Sequence, residues 1–163
     1  VPFVRVGFAV SGEQQISRAF QVYGEEAQDL SEPLDRMADV ILDAVEQQFA
    51  TEGKGGLGHP WTPLSPEYAA WKLARYGPKP ILEASGDMKA AMLNKGAAVV
   101  VTPKKMVYHP VDEKAGYHQD GTIHMPQRKI LALTDAQKRN AVDRVFSEWL
   151  TAIRRTAPLG GAR

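Results

Sequence analysis

Apolar and polar positions alternate at the start of the chain. Val4, Val6, Phe8 and Val10 are set against Arg5, Gly7 and Ala9, the period of two of a strand with one buried face. Gly12 ends that run. From Glu13 the period lengthens, so that Ile16, Ala19, Phe20, Tyr23, Ala27 and Leu30 fall on one helical face, with Gly24 a weak point within it. A stronger helix is expected near 31–50. Ser31 is suited to cap it, Glu32 and Asp35 suit its positive end, and Leu34, Met37, Ala38, Ile41, Leu42, Val45 and Phe49 form its buried stripe. Asp39, Asp43 and Glu46 make the opposite, wetted face.

Periodicity then stops. Gly53 to Pro60 holds four glycines within six residues and reads as a mobile surface loop. Ser65, Pro66 and Glu67 signal the start of a short helix that runs to Tyr76, where Gly77 and Pro78 stop it. Another short helix is expected over Ser85 to Asn94. A β-hairpin follows, in which Ala97 to Val101 and Met106 to Tyr108 flank Thr102-Pro103-Lys104-Lys105. Pro110 to Pro126 reads as a long polar loop and Ile130 to Leu133 as a short strand. The last element is a helix near 135–155, with a capping box of Thr134 and Gln137 and a stripe of Val142, Val145, Phe146, Trp149 and Ile153. This order predicts an α+β fold, a small and mostly antiparallel sheet covered by several helices. A single domain over 1–157 with a flexible tail at 158–163 is expected, since 163 residues are enough for one core and too few for two ordinary ones.

Composition narrows the classes. Hydrophobic residues at 44% and charged residues at 24% lie in the globular range, and the longest uncharged apolar stretch, Gly96 to Val101, is far too short to span a bilayer. A soluble protein, cytosolic when made, is expected. The absence of cysteine removes disulfide frameworks and thiolate chemistry. The net charge of +1 hides a division: up to residue 52 there are ten acidic and three basic residues, and after it nine acidic and seventeen basic. Such a monomer can pack head to tail, acidic part against a neighbour's basic part, closing into a ring where the rotation permits. The same charges can also neutralise each other within one subunit.

Catalytic patterns are scarce. His109, His118, Asp120 and His124 are the residue types of a metal site, but their spacing fits no zinc signature and no H-E-x-x-H occurs. Gly53 to Gly58 matches G-x-G-x-x-G, yet it follows a helix and runs into His59-Pro60 instead of opening a helix whose amides could hold a pyrophosphate. There is no G-x-S-x-G elbow and no phosphate loop, and Ser85 reads as a helix cap. No enzyme, catalytic residue, metal or cofactor is therefore expected. The basic excess raises nucleic-acid binding, but Lys138, Arg139, Arg144 and Arg154 are interleaved with Asp135, Asp143 and Glu148, the mixed surface of a solvated helix.

Four runs occur in a fixed order: Trp61-Thr62-Pro63-Leu64-Ser65, Ile81 to Met88, Tyr117-His118-Gln119-Asp120-Gly121, and Met125 to Leu131. Together, over about residues 3–155, the chain resembles the phage virion morphogenesis family, the tail-completion proteins of tailed phages. Phe49, Gly53, Lys72, Ser85-Gly86 and Pro126-Gln127-Arg128 stand where the family has matching phrases, while Lys114-Ala115-Gly116-Tyr117 departs from it, because the family places its Tyr-Ala pair earlier.

The resemblance implies a structural protein of the head-tail joint, assembled as a ring, by analogy a hexamer. Its partners would be the tail tube end or tail terminator on one side and the head connector or stopper on the other. DNA would pass through the lumen without specific binding, no membrane would be involved, and the protein would be made in the host bacterial cytoplasm and end in the virion neck. The implied interface residues are Trp61, Pro63, Leu64, Lys72, His118, Gln119 and Arg128. For Trp61 and Trp71 the competing reading is packing within the subunit. Arg128 suits a bidentate pair with a carboxylate across a subunit boundary. The glycine loop and the tail after Thr156 are expected to order on docking. The alternatives are a small metal- or nucleic-acid-dependent hydrolase using His109, His118 and His124, and a regulatory interaction module.

Overall fold

The computed structural model describes residues 28–109 and 111–156, so the expected N-terminal strand, the body of the Glu13 helix and the C-terminal tail lie outside the described residues. Within them the elements are α1 (Ser31–Ala50), α2 (Lys54–Leu57), α3 (Pro66–Tyr76), α4 (Asp87–Leu93), α5 (Lys95–Ala98), β1 (Val99–Thr102), β2 (Lys105–Tyr108), α6 (Glu113–Asp120) and α7 (Asp135–Thr156). The class is α+β, with a two-stranded antiparallel sheet among helices.

Helix α1 is the centre, and the hairpin, α4 and α7 all pack on it. Met37, Ala38, Ile41, Val45 and Phe49 are buried along the expected stripe, with Leu34 and Leu42 on its flank. Burying a side chain of this size stabilises the fold by about 1.5–3 kcal/mol. The cap differs from expectation. Leu30 occupies the N-cap position, and the Asp29 carboxylate accepts from the Ser31 amide at 2.8 Å. Hydrogen bonds from Ser31 hold the Asp29 carboxyl below the usual carboxylate range. On the wet face, Asp35 and Asp39 both pair with Lys95, at 2.8 and 2.6 Å.

In the hairpin Val99 faces Tyr108 and Thr102 faces Lys105, leaving Pro103 and Lys104 as a two-residue connection. The first strand is shorter than expected because Ala97 and Ala98 belong to the helical turn α5. Met106 and Tyr108 point into the core, where the Tyr108 hydroxyl donates to the Met92 carbonyl at 3.0 Å. Helix α7 opens on the expected capping box: Thr134 Oγ1 accepts from the Gln137 amide at 3.2 Å, and Gln137 Oε1 accepts from the Thr134 amide at 2.8 Å. Val145, Phe146, Trp149 and Ile153 bury its inner face.

Three expected features are replaced. The glycine segment is packed, with the turn α2 inside it. A Cβ on Gly53 would lie 2.5 Å from Trp61 Cδ1, and one on Gly56 would lie 1.9 Å from the Ala132 carbonyl oxygen. Glycine is thus required there for close approach. The stretch read as a polar loop contains α6, which starts where Asp112 accepts from the Lys114 amide at 2.8 Å. Ile130 to Leu133 is not a strand of the sheet, and the Gln119 side-chain amide bonds the backbone of residues 130 and 131 in place of a partner strand.

Candidate interaction site

The four sequence runs meet in space. Arg128 donates from Nε to the Thr62 carbonyl at 2.8 Å and from Nη2 to the Pro63 carbonyl at 3.0 Å, joining the fourth run to the first. Its own amide donates to the His118 carbonyl at 2.7 Å, which joins it to the third. Trp61 Nε1 and Gln48 Nε2 both donate to the Lys129 carbonyl, at 2.9 and 3.0 Å, filling its two acceptor positions. The second run is tied to the first through Glu52, whose Oε1 accepts from the Ile81 amide at 2.6 Å and whose carbonyl accepts from the Trp61 amide at 2.7 Å.

Between these runs and α3 lies a groove of about 770 Å³. Leu64, Tyr68, Leu82, Met88 and Met125 give it apolar lining, and Lys72, Lys114 and Arg128 give it cationic lining, with the His118 and His124 imidazoles beside them. Asp87 is the one acidic residue lining it among the described residues. Lys72 is buried and its Nζ donates to the Pro80 carbonyl. Burial lowers its pKa, while Glu52 and Glu83 oppose that shift. Burial also lowers the Arg128 pKa, although the guanidinium stays charged at any ordinary pH. The His118 imidazole is pushed below its usual value, chiefly by burial and then by the Arg128 charge, and its Nδ1 is buried without a hydrogen-bond partner.

Helix α3 forms the outer side of the site. Ser65 caps it by accepting from the Tyr68 amide at 3.3 Å, Pro66 stands in its first turn, and Gly77 at φ 77° ends it. Lys72 is its single buried residue. Tyr68, Trp71 and Leu73 are exposed by 46, 49 and 57%. Ring centroids of Tyr68 and Trp71 lie 5.3 Å apart and those of Trp71 and Tyr76 5.8 Å, so the three rings form one continuous aromatic surface.

The model of the phage virion morphogenesis family matches residues 12–150, a span that includes all four runs and the groove they build. The chain belongs to the phage virion morphogenesis family. No curated protein and no solved structure matches it.

In this phage virion morphogenesis protein the seven suggested residues occupy one neighbourhood in different roles. Pro63, Leu64, Lys72, His118 and Arg128 line the groove. Trp61 is buried edge-on against Phe49, with ring centroids 5.7 Å apart. Gln119 braces residues 130 and 131. Trp71, the other tryptophan read as packed, is half exposed on α3. His118 and His124 reach the groove whereas His109 does not line it, and no three His, Cys, Asp or Glu side chains among the described residues gather to hold a metal ion. Gln48 and Tyr68 were not singled out by sequence. Gln48 left a signal, a polar residue at the spacing of the α1 stripe.

Proposed function

We propose that this virion morphogenesis protein acts at the head-tail joint as a ring-forming structural subunit, working through binding surfaces and not through turnover. The observation that carries the reading is α3. An eleven-residue helix with one buried side chain and an exposed aromatic row has the character of a surface awaiting a partner. The groove beside it adds cations set in apolar surroundings, the composition of a recognition site. Polarised charge along the chain supports head-to-tail packing, for which Asp43 and Glu46 of α1 are exposed, while Asp35 and Asp39 are paired with Lys95 within the subunit. Contacts of about 800 Å² per partner, repeated around a ring, make the joint tight although each is modest. The hexamer, the tail tube or terminator contact and the head connector contact follow the family analogy. Disrupting the gene in its phage and imaging the lysate tests this: unjoined heads and tails are expected, and a normal yield of complete particles overturns it.

A further inference from the structure

We infer that the groove beside α3 receives a peptide segment of a partner protein that carries a carboxylate side chain between large apolar residues. The inference rests on the assembly reading, which supplies a protein partner, and adds the chemistry by which that partner is held.

Arg128 is the centre of the argument. Only 5% of it is exposed, its Nε and Nη2 are held by two carbonyls, and none of the ion pairs among the described residues includes it. Carbonyl dipoles orient a guanidinium but leave its charge uncompensated, and a buried cation without an anion is costly. Lys72 and Lys114 line the same groove, where Asp87 is the one carboxylate in the lining among the described residues, while Glu52 and Glu83 act on Lys72 from outside that lining. The site therefore favours an incoming anion. The two carbonyls take two of its five N–H donors, and a carboxylate matches the planar pair that remains on Nη1 and Nη2.

The rest of the lining decides what the anion is attached to. Leu64, Tyr68, Leu82, Met88, Met125 and Pro126 present apolar surface in a cavity of about 770 Å³. Cavities of roughly 300–1,000 Å³ admit a ligand the size of a few side chains. Apolar side chains gain from such a surface, whereas a solvated phosphate chain gains from rows of exposed cations. Tyr68 and Tyr76 line the groove and also belong to the aromatic row with Trp71, so a bound segment would pass directly onto α3.

The probe is the acetylated and amidated peptide Gly-Ser-Leu-Glu-Phe-Ser-Gly, titrated calorimetrically into the full chain beside its counterpart with Gln in place of Glu. The Glu peptide is expected to bind at least ten-fold more tightly. Lys114→Glu and Tyr68→Ala are each expected to weaken it five-fold or more, and the unfolding midpoint of each variant is measured in parallel. Lys114 is exposed, so its variant keeps the test valid if Tyr68→Ala proves unstable. Equal affinity for the two peptides, no saturation by either at millimolar concentration, or tighter binding of a single-stranded oligothymidine overturns the inference. None of those results bears on the head-tail reading, which stands or falls on the particles formed without the gene.

Discussion

Gln119 and Leu131 exchange two hydrogen bonds: the side-chain amide of Gln119 donates to the Leu131 carbonyl at 3.0 Å, and its oxygen accepts from the Leu131 amide at 3.0 Å. The same oxygen accepts from the Ile130 amide at 3.0 Å. One glutamine on α6 thus does for residues 130 and 131 what a neighbouring strand would do. Fully buried Ile130 is held in the core without a sheet.

Gln119→Leu should be destabilising because it leaves three backbone groups without partners in a part-buried setting. With about 1–3 kcal/mol for each unsatisfied buried group and allowance for partial access of water, the expected loss is about 2–3 kcal/mol. Urea unfolding followed by circular dichroism measures it. An unchanged midpoint would show that water replaces the side chain at no cost.

Two glycines should respond in opposite directions. Gly56→Ala places a methyl 1.9 Å from a backbone oxygen and should cost more than about 2 kcal/mol, through displacement of α2 from Ala132. Gly116 lies within α6 and has open space at its Cβ position, so Gly116→Ala should stabilise by about 0.4–1 kcal/mol. Thermal melts of the two variants separate these outcomes.

Arg128→Lys keeps a positive charge and loses the fork that reaches Thr62 and Pro63 together. A loss of about 1–2 kcal/mol is expected, at the scale of one or two charged hydrogen bonds. Arg128→Ala should cost more, because both carbonyls then lose their donor and a cavity opens. Equal stability of the two variants in denaturant titrations would contradict the bidentate tie.

His118 should give the fold an acid sensitivity. Its folded pKa lies below the ordinary value of 6.5, so between the two values the unfolded chain binds more protons. Stability is then fully present above about pH 6.5 and is lost as pH falls through the lowered folded pKa. Asp29 and Asp135, both lowered by hydrogen bonds, act in the separate window below about pH 4. Unfolding midpoints measured from pH 8 to 5 should fall for the natural chain and fall less for His118→Asn. Parallel slopes would remove His118 from the account.

The long helices were legible because their stabilising pattern is local. The α1 stripe and the Thr134–Gln137 box are read within a few residues of each other, and both stand where expected. Helix α6 was hidden because Ala115 is its single buried residue, so no 3.6-residue apolar period exists to be seen. Ile130 and Leu131 have the residue types of a strand, but their backbone partner is a side chain from another element. Glycines 53 and 56 suggested looseness, whereas the Trp61 ring and the Ala132 carbonyl occupy the space that side chains would need. The two tryptophans had opposite fates, Trp61 buried and Trp71 half exposed, for a tertiary reason: α3 presents one buried residue to the body. Four runs could be recognised in order, while their convergence on one groove needed the fold.

The most direct measurement of the central claim is a reconstruction of the virion neck at a resolution that traces the chain. The account predicts a ring of this protein between the head connector and the tail tube, with the α3 aromatic row and the adjoining groove in contact with a neighbouring chain. Complete particles that lack the protein at that junction, or a ring in which α3 faces open solvent all round, would contradict it.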